Sequence, residues 1–299
     1  MIKIERQFIF QQEWTGKGER GIRDFLLIPA IFFGAICPGL FISSLVSNYV
    51  PGYWAALALN FGGYGITHLL FLGKMERFWR AVLNVRTSWI SRGFVFNAMF
   101  SLFGLLYALA ETAPLPVLSD PAVKTLLKLM SAVSAVLFAA YPGFMLSIVK
   151  AIPFWRSLLE PVLFFLQGVM GGLALQLLLM SFMPMPGYAG DIVIKANFVI
   201  LQVVLLLFMS ALIIKAMHGG AEKTSVAFLT TGNFSRVFLG GALVTGLVAP
   251  LFILTAGILL PLDFDAYSYI YYLAMIAELA GIYAGKYSVL RAGAYSPLR

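Results

Sequence analysis

Cysteine, histidine and charged residues are all scarce in this chain. Its 299 residues include one cysteine, two histidines and only 11% Asp, Glu, Lys and Arg. A lone cysteine, Cys37, allows no disulfide framework and no thiolate metal or iron–sulfur site. It lies inside an apolar run and is expected to be a small buried residue. The second histidine, His218, stands beside Gly219-Gly220 at the end of a run, so no His pair lies in the apolar core to hold a haem. No P-loop and no nucleophile motif is present. A soluble domain carries about 25% charged residues, far more than this chain has. The first 24 residues are polar and mixed in charge, without the short apolar core and small-residue cleavage site of a signal peptide. The first apolar run is therefore expected to be retained. The net charge of +8 is assigned to topology and lipid headgroups rather than to nucleic acid.

What the chain has is length in apolar runs: 61% of it is hydrophobic. A spanning helix needs about 20 such residues. Eight runs qualify, at 25–46, 53–73, 93–110, 128–149, 158–183, 196–217, 237–260 and 266–285. They are too long and too uniformly apolar for barrel strands. The expected fold is all-α: one integral membrane domain over residues 1–299, with a tail at 1–24 and eight transmembrane helices. Short connections favour antiparallel neighbours, so helices 1–4 and 5–8 could form two four-helix bundles.

The cations fix an expected orientation. With eight spans, all 21 Lys and Arg except Lys124, Lys128 and Lys195 fall on one face. The count places Lys215 in the loop after helix 6 and Lys286 in the C-terminal tail. The positive-inside rule puts that face, and both ends of the chain, in the cytoplasm. Glu111, Asp120, Asp191, Asp263 and Asp265 lie on the opposite side.

Polar groups inside a bilayer are costly and are functional candidates. His68 lies about 9 Å below the basic face, Tyr141 about 13 Å and Glu278 about 12 Å, from their distance to Lys74, Lys150 and Lys286 at 1.5 Å per residue. Three helices thus offer an imidazole, a phenol and a carboxyl to one layer. Each also has a structural explanation. His68 could hydrogen-bond a neighbouring helix, and Tyr141 could pack at the break made by Pro142-Gly143. Glu278 is harder to explain by packing, because a carboxylate at that depth is expensive unless protonated or paired. Glu160 opens helix 5 before Pro161, where a helix N-terminus favours an acid. Cys37-Pro38-Gly39 and Tyr141-Pro142-Gly143 interrupt helices 1 and 4, either for close packing or to wall a pocket for a flat ligand. The loop 74–92 is rich in Arg and Trp. Its first part suits an interfacial amphipathic helix or a surface for a peripheral subunit.

Several motifs together carry a resemblance. Leu72-Gly73-Lys74-Met75-Glu76-Arg77-Phe78-Trp79-Arg80, followed by Arg86-Thr87-Ser88-Trp89-Ile90-Ser91-Arg92-Gly93, resembles the "LG-x-x-ERFW … RTSW-x-SRG" signature of NrfD/PsrC-type membrane subunits. Tyr141-Pro142-Gly143-Phe144-Met145-Leu146-Ser147 is similar to that family's helix-4 motif. Ile152-Pro153-Phe154-Trp155, Pro161-Val162-Leu163-Phe164 and Phe32-Phe33-Gly34 through Gly39 resemble further segments. The resemblance spans nearly the whole chain.

It implies a quinone-interacting anchor subunit of an anaerobic respiratory oxidoreductase in the cytoplasmic (inner) membrane. The expected partners are a ferredoxin-like iron–sulfur subunit and a molybdopterin catalytic subunit, with no haem or cluster in this chain. The family's helix-4 tyrosine corresponds to Tyr141. The position that is His in some relatives is Phe71 here, and His68 lies one turn away on the same face. The expected quinone contacts, for menaquinone or ubiquinone, are Tyr141, His68, Phe71 and Gly39, between helices 1, 2, 4 and 8. Glu278 and Glu160 are the expected proton relay. Arg77, Arg80, Arg86, Trp89 and Arg92 are the expected docking residues. The alternatives are a secondary transporter or ion-translocating subunit, with a solute site near the midplane, and a purely structural anchor.

Overall fold

A computed structural model describes residues 19–72, 79–80, 83–113, 115–184, 190–218, 220–260, 264–294 and 296. Among them there are helices and no strand. Helix α1 (Glu19–Ser47) is followed by α2 (Val50–Leu59), which continues through a π-helical segment (Asn60–Gly65) into α3 (Ile66–Leu72). The residues at both junctions keep right-handed helical dihedrals, so 50–72 run as one rod. Then come α4 (Trp89–Thr112), α5 (Pro121–Ser147), a 3₁₀ turn (Pro153–Trp155), α6 (Leu159–Phe182), α7 (Gly190–His218) and the short α8 (Gly220–Thr230). A second π-helical segment (Arg236–Val248) leads into α9 (Ala249–Leu259), and α10 (Phe264–Ala292) closes the chain. Seven stretches are long and apolar enough to cross a membrane. The rod at 50–72 provides the eighth expected crossing.

Caps fix where two helices begin. The Asp120 carboxylate accepts from the N–H groups of Ala122 (2.9 Å) and Val123 (3.1 Å), with Pro121 at the first helical position. Both features suit a helix start, where the first N–H groups have no internal partner. Ser88 caps α4 through the N–H of Ser91 (3.4 Å).

Two apolar cores follow the expected division. One is built from α1, α2, α4 and α5 and includes Phe41, Phe100 and Phe138. The other is built mainly from α6, α7, α10 and the second π-helical segment. The seam between them is the α1–α6 crossing. There a Cβ on Gly39 would collide with the carbonyl oxygen of Gly168, so only glycine lets these backbones approach so closely. Gly39 is thus a packing residue of the seam.

Two expectations about cations need correction. Lys215 lies inside α7 and Lys286 inside α10, both buried, rather than in loop and tail. The eighth helix extends seven residues beyond its expected end at 285, because hydropathy counts the lysine as polar whatever its packing. The expected interfacial helix of loop 74–92, and Arg77 within it, fall largely outside the described residues.

Candidate functional site

The site lies at the basic end of the first core. Tyr141 comes from α5, one residue before Pro142, and is 6% exposed. Its ring lies against Gly93 of α4, where any Cβ would strike it. Its hydroxyl donates to the Met145 sulfur at 3.7 Å, one turn further on. From the rod, Tyr64 and His68 stand four residues apart on one face and stack at 5.1 Å between ring centroids. Phe71 lies beside His68 at 6.2 Å.

These residues, with Leu27, Ala30, Ile31, Ile90, Pro142 and Met145, enclose an inner cavity of about 70 Å³. Leu27, Phe71, Ile90 and Met145 also line a much larger outer chamber of about 670 Å³. Ile28 of α1, Trp89 of α4, Leu146 of α5, Trp155 of the 3₁₀ turn, and Leu290 and Arg291 of α10 are among its other wall residues. Its size is within the usual range for a small-molecule site, about 300–1,000 Å³. An apolar vestibule thus narrows to a pocket lined by two phenols, Tyr64 and Tyr141, and one imidazole, His68.

The rim explains the Arg-Thr-Ser-Trp motif. Arg92 donates from Nε to the Val85 carbonyl (3.0 Å) and from Nη2 to the Arg86 carbonyl (2.7 Å). Its guanidinium lies 4.7 Å from the centre of the Trp89 ring. Trp89 in turn stacks on Phe144 at 4.8 Å, with the rings tilted only 3° apart. Trp89 therefore lines the vestibule wall, and Arg92 braces Trp89. Arg80 lies against Trp79 and, like Arg86, is exposed.

The structure divides the expected trio. His68 and Tyr141 share a cavity, but Glu278 does not line it. Glu278 is fully buried in the second core, where it accepts from Asn197 Nδ2 of α7 (2.8 Å). The other oxygens of that pair, Glu278 Oε1 and Asn197 Oδ1, have no hydrogen-bond partner among the described residues. The three residues were matched by depth, and depth says nothing about which side of the seam a side chain faces. Glu160 is also in the second half, buried and paired with Lys215 at 2.5 Å. Glu111, expected near the opposite interface, pairs with Lys124 at 3.0 Å.

Sequence reasoning missed Tyr64, Trp155 and Arg291. Tyr64 had a signal, its four-residue spacing from His68. Trp155 and Arg291 become neighbours of the chamber only through tertiary packing.

These features define a multi-pass helical membrane protein with an apolar chamber ending in a polar pocket. A family model described as polysulphide reductase, NrfD, matches residues 24–296. The chain belongs to the NrfD family. No curated protein matches it.

Proposed function

We propose that this chain is the quinone-binding membrane anchor of a respiratory oxidoreductase complex. The observation that carries the reading is the vestibule of about 670 Å³ opening onto Tyr141 and His68. Quinones are flat lipid-soluble carriers that exchange two electrons and two protons. The residues suit such a group. The walls are apolar and aromatic, which favours a ring and an isoprenoid tail. Among the described residues the Tyr141 hydroxyl bonds to a thioether, a weak acceptor that a carbonyl oxygen would replace. The neutral His68 imidazole offers one N–H donor and one acceptor nitrogen. Tyr141 would hydrogen-bond one oxygen and His68 would hold or move a proton at the other.

The electrons then pass to a partner, an iron–sulfur subunit and beyond it a molybdopterin subunit. Exposed Arg80 and Arg86, beside the vestibule rim, support docking on this face. The cation distribution supports a topology with both ends of the chain in the cytoplasm and the vestibule in the cytoplasmic leaflet of the inner membrane. Glu278 and Glu160 are buried in the second half and line neither the pocket nor the vestibule, so a relay to them would need further groups between.

The test is purification of the complex with a photoreactive quinone. Labelling of vestibule residues in this chain, with iron and molybdenum in partner chains, is the expected result. Labelling confined to other chains would refute the reading. Transport of a solute by this chain alone would favour the transporter alternative.

A further inference from the structure

The second half of the molecule holds a group that the proposed function does not use. Lys286 of α10 is 3% exposed. Its ammonium donates to Gln167 Oε1 of α6 at 2.7 Å and lies 3.4 Å from the centre of the Phe164 ring. A neutral amide and an aromatic ring return only part of what a buried ammonium loses in leaving water. The small void beside it, about 10 Å³, is lined by Glu160, Leu163, Phe164 and Gln167 from α6, Phe208 from α7, and Gly285, Val289 and Leu290 from α10. Glu160 is the one other ionisable group in that lining, and it is already bonded to Lys215 of α7. The void therefore offers Lys286 one carboxylate, and that carboxylate is bonded to a different ammonium. Lysines in such places readily change charge state.

This void adjoins the vestibule. Leu290 lines both. Val289 lines the void, and its carbonyl accepts from the indole Nε1 of Trp155 (3.0 Å), a vestibule wall residue. The preceding residue, Phe154, lies 4.4 Å under the ammonium of Lys215. The Pro153–Trp155 turn and the last turns of α10 therefore touch the vestibule on one side and both buried lysines on the other.

We infer that Lys286 is a proton-binding site coupled to occupancy of the vestibule. An apolar ligand entering there displaces water next to Leu290 and presses on Trp155. The ammonium is then less well supported, and one proton leaves Nζ for the aqueous basic face. No electron moves in this step. The inference rests on the quinone reading, and it gives the second half of the chain a part in the proton economy of the first.

The experiment uses the purified complex with an oxidised short-chain naphthoquinone and no reductant, so that the ligand itself carries no proton. A binding isotherm and proton release in weakly buffered solution are recorded across about pH 6 to 9. The expected result is release approaching one proton per site in part of that range, with affinity rising up to about tenfold per pH unit there, as linkage requires. Lys286→Met and Lys286→Arg should both bind the quinone without releasing a proton. Arginine is the sharper variant, since it keeps the cation but does not titrate. Saturable binding with no proton release in the unaltered complex overturns the coupling. Release that persists in Lys286→Arg overturns the assignment to Lys286. Absence of a saturable isotherm in the unaltered complex overturns the quinone reading, and this inference with it.

Discussion

The two halves of this protein answer the same solvent in opposite ways. In the first half the interior is a column of rings: Phe41, Phe100, Phe138 and Tyr64 follow one another at centroid separations of 5.3, 5.9 and 5.0 Å. Such contacts satisfy no charge and need none. The column leaves room at one end, and the polar groups there are few and weakly held. In the second half the interior carries Glu160, Lys215, Glu278 and Lys286, all buried and all bonded to a side chain of another helix. The rings leave a space for something else to enter, whereas the buried ionisable groups are bonded to partners on neighbouring helices. Loss of a group should therefore weaken the ligand in the first half and the fold in the second.

The largest effect should come from splitting the Glu160–Lys215 pair. Removing one member leaves the other charge buried, which typically costs about 3–5 kcal/mol. Glu160→Ala and Lys215→Ala should each cut the yield and thermal stability of purified protein. A Glu160→Leu, Lys215→Met double variant should recover most of the loss, because an apolar pair removes the stranded charge. Double-variant stability no better than either single would mean that the pair is not the strut of the second half.

The next largest should be the effect of Tyr141→Phe. The change deletes one oxygen whose partner is a thioether, so the fold should keep its stability. Quinol turnover should fall roughly 100-fold, the usual scale for losing a positioned proton donor. Unchanged turnover would remove Tyr141 from the site. Gly93→Ala perturbs the same ring from behind. Its methyl needs the space that the Tyr141 ring occupies. Overpacking of this kind costs about 1–3 kcal/mol, and turnover should fall less than in Tyr141→Phe. A larger loss of turnover in Gly93→Ala would mean that position matters more than the hydroxyl.

The comparison also explains what the sequence could disclose. Eight spans were legible because each is a long apolar run, and the bundle division because the connections are short. Tyr141 and His68 were legible because polar groups are rare there and both face one depth. Glu278 was misplaced with them because depth is a linear quantity, while the facing of a helix depends on its neighbours. Lys215 and Lys286 were assigned to water because a lysine at the end of an apolar run looks the same whether it reaches solvent or folds back onto Glu160 or Gln167. The vestibule was not legible, as its walls come from six separate elements.

The smallest effect should fall on the rim, where the first half meets water. Arg92 holds two carbonyls with two different nitrogens while its plane covers Trp89. Lysine carries the same charge but has one nitrogen and no plane, so Arg92→Lys can keep only part of this. The turn at 83–87 should loosen and Trp89 should lose one face of its support, while Phe144 continues to hold the other. Since the chamber wall moves and the inner pocket does not, KM for quinol should rise a few-fold, roughly two to five, with kcat near its original value. A fall in kcat without a change in KM would place Arg92 in electron delivery to the partner subunit instead. The rim would then belong to the docking surface more than to the vestibule.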